Sequence, residues 1–569
     1  MDNKNIRRAF KLMASLMELH DENAFKIRGY QNAVAALERV DAPMAGMTEK
    51  ELESYEGVGK SIAAKIVELN QTGSFSDLNK LLEVTPAGVV EMLNIKGFGP
   101  KKIRAIWKEL GIENTADLLQ ACENDQIAKL KGFGAKTQET LKNALLYSQE
   151  SKGKLLWAEA EIPAEDLKKI LQETLQTDNV EITGEFRRKL EIINLLQLVI
   201  ATENPVRTQE KINEISALQQ DEKLSGPFAW RGTVAETGLK VEMKLVSEAD
   251  FVNEVFKNSA ADMHLSLPYN GSETLYNLLK KVTFKSEAEV YEKAGLQFIY
   301  PELREGLGEL ELAAENKLPK LLEDTDLKGI LHNHSTYSDG ANTLEQMAVF
   351  CKEQGYQYLG MCDHSKSAFY ANGLQEGRVV QQQKEIDKLN EQLSPFKIFK
   401  GIESDILNDG SLDYEEDILK TFDFVVASVH STLNMTCEKA TQRLITAIQN
   451  PYTTMLGHPT GRLLLRREGY PIDHQAVIDA CAENGVIIEI NANPWRLDLD
   501  WRWVSYALEK GVMLSINPDA HSTTGYADMR YGVLMGRKGG LSAEMTFNAK
   551  SREEVEAYFV ERKKEKGIL

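Results

Sequence analysis

Seven short apolar runs beyond residue 320 each lead into residues able to bind metal or move protons. They are KGILHNHS, YLGMCDHS, KIFKGIESD, FVVASVHS, TTMLGHPT, VIIEINAN and MLSINPDAHS. The candidates are His332, His334, Asp339, His364, Glu403, His430, His458, Asp519 and His521, a set that takes six of the nine histidines of the chain. Two histidines one residue apart at the end of an extended strand can place both rings on one ion, and a glutamate can bridge two ions through its two oxygens. Mixed imidazole and carboxylate ligation suits Zn²⁺, Mn²⁺ or Fe²⁺ better than Ca²⁺ or Mg²⁺. Clustered ions activate water and clamp the attacking and leaving oxygens of a phosphate ester. A single such histidine, His458 for instance, is usually a packed core residue; nine at consecutive strand ends are not explained by packing. His20, His264 and His474 lack that setting and receive no role.

These residues need a scaffold that gathers strand ends. Helical patterns such as TLEQMAVFCKEQG, EKATQRLITAIQN and HQAVIDACAENG separate the runs. Strand and helix alternating about seven times predicts a parallel (β/α)7 barrel, whose chemistry collects at the C-terminal ends of its strands.

The first third of the chain has different punctuation. GVGKS, GFGPK and GFGAK recur every 35–40 residues or so, between helical stretches. Gly57 and Gly59, Gly97 and Gly99, and Gly132 and Gly134 permit tight turns and close approach of a ligand. The following helix N-terminus then presents free N–H groups to an anion, with Lys60, Lys101, Lys102 and Lys136 adding charge. One such turn could be an ordinary helix end. Three copies with lysine at one offset predict helix-hairpin-helix contacts with a DNA phosphate backbone, blind to sequence.

The motifs LHNHSTYSDG, CDHS, GIESDIL, ASVHS, GHPTGRLLLRREGY, EINANP and NPDAHS resemble the polymerase and histidinol phosphatase (PHP) domain. They are most similar to the version at the C-terminus of bacterial family X DNA polymerases, and the linker FIYPELREGLGELELAAENKLPKLLEDTDLKGI extends the resemblance over essentially the whole chain. The resemblance implies up to three divalent ions, Mn²⁺ or Zn²⁺. His332, His334, Glu403 and Asp519 hold the first. Glu403 bridges to a second, completed by His430 and His458. Asp339, His364 and His521 hold the third. It also implies 3′–5′ exonuclease or related DNA phosphoesterase work in repair. Glu403 as the bridging acid and Arg462, in the HPTGR turn, are expected to act on the phosphate; for Arg462 the competing expectation is a salt-bridged surface arginine.

In that family the central nucleotidyltransferase palm begins with Gly-Ser and two arginines, followed by a strand with two aspartates one residue apart. Here GEFRRKLEIINLLQLVIA keeps Gly184, Arg187 and Arg188 but has Glu185 for the serine and Leu195 and Gln197 at the aspartate positions. Glu242 stands at the third acid position. Glu273, in LPYNGSETL, replaces a lysine on the nucleotide side. Leucine offers no oxygen and glutamine only a neutral one, so Mg²⁺ is not expected at the palm and polymerisation is expected to be lost. Two alternatives stand: an active DNA polymerase using displaced acids such as Glu191 with Glu242, or a non-catalytic DNA-binding scaffold. Lys65 matches by position a lysine with lyase chemistry in eukaryotic relatives; an ordinary helix-surface lysine is the favoured reading.

The bulk numbers fit this division. A chain of 569 residues is too long for one core. The expected parts are 1–90, an N-terminal helical domain with the first hairpin; 91–150, a fingers-like region with two more; 151–318, a degenerate palm and thumb; and 319–569, the PHP domain. The net charge of −19 argues against nucleic acid at first, but residues 1–150 hold about 20 Lys and Arg against about 21 Asp and Glu. Five cysteines without a CxxC pair, no signal peptide and no apolar span lead to the expectation of a reduced cytoplasmic protein off the membrane. A monomer acting on gapped or nicked duplex and on 3′ ends completes the expectation.

Overall fold

The computed structural model describes residues 3–569 apart from Arg39, Asp41 and Lys96. The chain divides into two compact units, Met1–Lys152 and Gly153–Leu569.

The first unit is helical. One apolar core runs from Ile6 and Phe10 through Leu69, Ile103 and Trp107 to Leu145, so the expected division at 90/91 falls inside a single core. Its three glycine-centred turns have one geometry. Gly57, Gly97 and Gly132 sit at φ +86°, +83° and +85°, a left-handed conformation that only glycine adopts freely. Two residues later Gly59, Gly99 and Gly134 are the N-caps of helices Lys60–Thr72, Pro100–Leu110 and Ala135–Ser151.

The second unit contains two large sheets and two short two-stranded pairs. In the sheet of the segment expected to be the palm, the strands are β1 (Val180–Thr183), β2 (Leu195–Ala201), β3 (Leu218–Gln220), β4 (Ala229–Val234) and β5 (Lys240–Val246), in the order β1-β2-β5-β4-β3. β2 and β5 are parallel; the other neighbours are antiparallel. LLQLVIA forms the strand its apolar, β-branched character predicts. A separate apolar cluster runs from Phe256 to Ala313, in the segment expected to form the thumb.

The seven apolar runs after residue 320 all become strands: β6 (Gly329–Ile330), β7 (Tyr358–Met361), β8 (Lys397–Asp405), β9 (Phe424–Ser428), β10 (Met455–Leu456), β11 (Ile487–Asn491) and β12 (Leu514–Asn517). They pair in chain order, every neighbour parallel. A parallel bridge between Asn333 and Ala520 joins the ends of the first and last strands, which nearly closes the barrel. Almost every strand residue is buried, because helices cover the outside and side chains fill the inside; this is why the runs read as continuous rather than alternating. The helices start on capping side chains: Thr343 and Gln346 form a reciprocal pair, as do Ser551 and Glu554, and Thr436 and Asp473 cap two others.

Palm and barrel meet along a polar seam. The Trp501 indole donates to Glu191 at 2.9 Å and Arg502 pairs with the same carboxylate at 2.8 Å. Lys538 donates to the Arg188 carbonyl and pairs with Glu305, while Arg537 pairs with Glu302.

Candidate metal centre at the barrel rim

All nine predicted ligands come together at the C-terminal ends of the barrel strands. Glu403, the third residue from the end of β8, is fully buried at the centre. Its Oε1 lies 3.0 Å from His458 Nε2, 3.2 Å from His430 Nε2 and 3.4 Å from His332 Nε2. Its Oε2 lies 2.8 Å from His364 Nδ1 and 3.6 Å from His334 Nε2. One carboxylate thus faces five imidazoles, the arrangement a bridging ligand requires.

Three groups of potential ligand atoms result. His332, His334 and Asp519 form one, with the Asp519 carboxylate 2.9 Å from His334 Nε2. His334, Asp339, His364 and His521 form another, and His364, Glu403 and His430 a third. His334 and His364 therefore stand between groups, while His458 faces the other Glu403 oxygen, Oε1. The turn carrying Asp339 is held by buried Asp363, which accepts from the backbone N–H and hydroxyl groups of both Ser335 and Ser338.

The electrostatics fit cations. Burial works against charge on Glu403, yet His430, His332 and His364 hold its carboxyl well below the usual carboxylate range. Asp339 is likewise depressed to about 2, where burial is outweighed by His521. Burial opposes a proton on His430 and His521, but Glu403 and Asp339 respectively raise them to about 10 and about 9. His334 differs: burial, with His521 and His364 alongside, lowers it to about 3 and leaves it neutral. The carboxylates thus demand positive charge from whatever stands among them.

The fit is sharpest in the atoms left over. His332 Nε2, His334 Nδ1, His364 Nδ1, Glu403 Oε2 and His458 Nδ1 are buried without a well-formed hydrogen bond. Buried polar atoms without well-formed hydrogen bonds are costly and rare, and this group, in which His364 Nδ1 and Glu403 Oε2 only face one another at 2.8 Å, marks a site built to be filled. Imidazole nitrogens and carboxylate oxygens suit a borderline transition ion.

Sequence reading missed the outer partners. Glu489, inside β11, accepts from His332 Nδ1 at 2.6 Å, and Asp405, at the end of β8, accepts from His430 Nδ1 at 2.5 Å. Each fixes its ring so that Nε2 faces the centre. Glu489 was detectable, since a lone acid in a wholly apolar strand must have a buried partner.

Arg462 needs a correction. Its guanidinium donates to the carbonyls of Arg496 and Leu497 and pairs with Asp500, so it braces the loop that carries Arg496. The arginine that reaches the cluster is Arg496, whose Nε lies 3.5 Å from Asp519 Oδ2.

The palm offers the opposite picture. Gln197 donates to Glu242 at 3.2 Å, and Arg231 Nε pairs with the other Glu242 oxygen at 2.6 Å. These three residues lie side by side across β2, β5 and β4. The Glu185 carboxylate accepts from the backbone N–H groups of Asn194 and Leu195, capping the start of β2. Gly184, at φ +64°, lies so close to Gln197 that a Cβ would stand 2.3 Å from Oε1. Arg187 pairs with Glu287, Arg188 with Glu305 and Glu273 with Lys281. Glu191, the proposed displaced acid, is committed to Trp501 and Arg502. The acids of this region already have partners.

In the helical unit, an added Cβ at Gly59, Gly97, Gly99, Gly132 or Gly134 would meet nothing within 4 Å; at Gly57 it would meet Ala36. Gly59, Gly99 and Gly134 also have ordinary extended backbone and give no side-chain cap. Among the described residues nothing packs against Gly59, Gly99 or Gly134, and the first N–H groups of their helices have no side-chain cap. Lys60, Lys101, Lys102 and Lys136 are exposed beside them. Lys65 Nζ, by contrast, bonds Ser61 at 3.1 Å and pairs with Asp77 at 3.2 Å, as an ordinary helix lysine does.

Barrel, rim ligands and outer partners together define a metal-dependent hydrolase of the PHP class, and residues 331–493 match the family model of the PHP domain. Residues 1–75 match a helix-hairpin-helix domain and residues 89–145 a SAM-like helix-hairpin-helix tandem. Over 575 aligned residues the chain is 36% identical to DNA polymerase/3'-5' exonuclease PolX of Bacillus subtilis (strain 168), covering 98% of this chain and 99% of the relative. The chain belongs to that family, the bacterial family X polymerases with a C-terminal PHP domain. A probable phosphatase of Thermoanaerobacter sp. (strain X514) is 28% identical over 260 residues, 44% of this chain and 98% of its own length. One of Acetivibrio thermocellus is 29% identical over 249 residues, 41% of this chain and 95% of its own. Among the described residues no helix is long and apolar enough to cross a membrane.

Proposed function

We propose that this chain is a DNA phosphoesterase that removes nucleotides or end groups from 3′ termini at the barrel rim, and that its palm no longer polymerises. The carrying observation is the convergence of five imidazoles on the one fully buried Glu403 carboxylate. His332, His334, Glu403 and Asp519 would hold a first ion, Glu403, His430 and His458 a second, and Asp339, His364 and His521 a third, with Mn²⁺ or Zn²⁺ as the ions. Such ions lower the pKa of water and neutralise charge on a phosphodiester.

The protein's own groups set the geometry of that chemistry. Glu489 and Asp405 accept the Nδ1 protons of His332 and His430 and so fix which nitrogen each ring presents inward. Asp363 keeps the Ser335–Ser338 turn closed and Asp339 in place. Arg496, beside Asp519, is the cation placed to bind a non-bridging phosphate oxygen. Helices covering the strands leave the rim as the one place where the buried acids meet substrate.

The loss of polymerisation rests on the Gln197–Glu242–Arg231 row, in which the remaining acid is neutralised by a neighbouring strand. The hairpin glycines support binding of DNA backbone without sequence readout, on gapped or nicked duplex with 3′ ends. Four working parts, 1–90 and 91–150 on one shared core, then 151–318 and 319–569, acting as a cytoplasmic monomer, belong to the same proposal.

A 3′-labelled oligonucleotide incubated with Mn²⁺ tests it: release of the label that stops with chelator is expected. Primer extension under the same conditions should give no incorporation. An unchanged label in the first assay, or templated extension in the second, would refute the corresponding half.

A further inference from the structure

Two large aromatic side chains stand unprotected beside the rim. Phe369 is 82% and Tyr370 70% exposed, on the short turn Phe369–Ala371 between β7 and the helix Glu376–Leu393. The Tyr370 ring centroid lies 6.2 Å from that of His364, one of the candidate ligands. Scattered exposed apolar residues are common on any protein, but adjacent aromatics at the mouth of a reaction centre are not.

The turn is pinned on both sides, so the exposure is built in. Ala368, Ala371 and Leu374 are buried beneath it. The Ser367 backbone donates to Asp413 at 2.6 Å, and its hydroxyl donates to Asp405 at 3.0 Å, the carboxylate that also orients His430. On the far side the Leu374 N–H donates to the His364 carbonyl at 2.8 Å. Gly373 packs so tightly that a Cβ would stand 1.9 Å from the Ser365 carbonyl oxygen. Arg378 donates to the Asn372 carbonyl at 2.9 Å. Small residues face inward and the two rings outward, held in fixed relation to the ligands His364 and His430.

We infer that Phe369 and Tyr370 form a stacking platform for the terminal nucleobases of a single-stranded DNA 3′ end whose phosphodiester lies at the rim. The inference rests on the phosphoesterase reading and names its substrate class. One sugar separates a base from its phosphate, so a phosphate at the cluster brings its base onto the surface immediately beside it. Every base has a π-face, so aromatic stacking binds without sequence preference, which matches hairpins that grip backbone alone. Only an unpaired end has a free face to offer, so the platform selects frayed or single-stranded termini over paired ones.

The test pairs a change in the protein with a change in the substrate. The Mn²⁺-loaded full chain and its F369A/Y370A variant are compared on two single-stranded oligonucleotides, one intact and one with its last two 3′ nucleotides abasic. The unaltered protein should favour the intact end by about tenfold or more in kcat/KM, on the scale of one or two stacked bases. The variant should lose that preference while cleaving the abasic end as fast as the unaltered protein does. The milder Tyr370→Phe should keep the preference, because stacking needs the ring and not the hydroxyl. Equal rates on both substrates for the unaltered protein, or a preference that survives in the variant, would overturn the platform. Failure of the unaltered protein to cleave either oligonucleotide would instead overturn the phosphoesterase reading, and the platform with it.

Discussion

The barrel rim and the palm cleft use the same vocabulary of acids to opposite ends. At the rim, Glu403 faces five imidazoles, several of whose nitrogens have no other partner. In the palm, Glu242 is closed off by Arg231 on one strand and Gln197 on another. The number of carboxylates is therefore a poor guide to metal binding. What matters is whether each oxygen is already satisfied, because an ion must replace partners the protein would otherwise supply. An arginine at 2.6 Å performs electrically what a divalent ion would, and leaves no need for one.

The contrast can be broken most sharply by mutating its centre. Glu403→Ala should lower Mn²⁺-dependent shortening of DNA by roughly a thousandfold, the scale of several kcal/mol contributed by a metal site. The same variant should leave primer extension at zero; incorporation that persists in it would show that the palm works independently. Next in size come the outer partners. Glu489→Gln or Asp405→Asn should weaken metal binding by about 10–100-fold in a competition with a chromogenic chelator, as losses of an orienting carboxylate do. Unchanged affinity in both would mean that the rings need no external support.

A smaller effect separates the helical unit from the rim. Serine is as good an N-cap as glycine, so Gly99→Ser with Gly134→Ser should leave the melting temperature unchanged or slightly raised. DNA binding should nevertheless fall several-fold in fluorescence anisotropy, because the new side chains occupy the approach to the backbone N–H groups. Undiminished binding would return these turns to ordinary helix ends.

The smallest effect concerns the thumb. His264 is wholly buried, with Nδ1 2.5 Å from Glu309 and Nε2 3.1 Å from the Tyr291 hydroxyl. Burial holds its pKa below the ordinary 6.5, so the unfolded chain takes a proton that the folded one refuses. This group's contribution to stability is present above about pH 6.5 and declines as the pH falls below that value. Its imidazole nitrogen shifts should report a titration midpoint below that of an exposed histidine. A midpoint at or above 6.5 would contradict the assignment.

Much of the barrel was legible because a parallel strand buried on both faces has to read as an apolar run, and because the ligands follow directly at its end. The hairpins were legible from repeated spacing. The outer partners were less so. Glu489 sits inside a strand and not at its end, and its role depends on reaching His332, which is distant in sequence. Arg231 could not be recognised as the partner of Glu242, since cross-strand register in the palm is fixed by pairing that no local pattern encodes. Arg462 was misplaced for a related reason: its turn lies next to His458, but its side chain is tied to the 496–500 loop, and Arg496 is the one that approaches Asp519. The single core from Ile6 to Leu145 was also hidden, because repeated hairpins look like separate units until their apolar faces are seen to share one interior.

One measurement bears directly on the difference between the two regions. Crystals of the full chain soaked in Mn²⁺ together with a nucleoside triphosphate would be recorded at a wavelength where manganese scatters anomalously. Peaks grouped around Glu403, within bonding reach of His332, His430 and His521, and no peak beside Gln197, are the predicted result. A bare rim with manganese lodged between Gln197 and Glu242 would contradict the account.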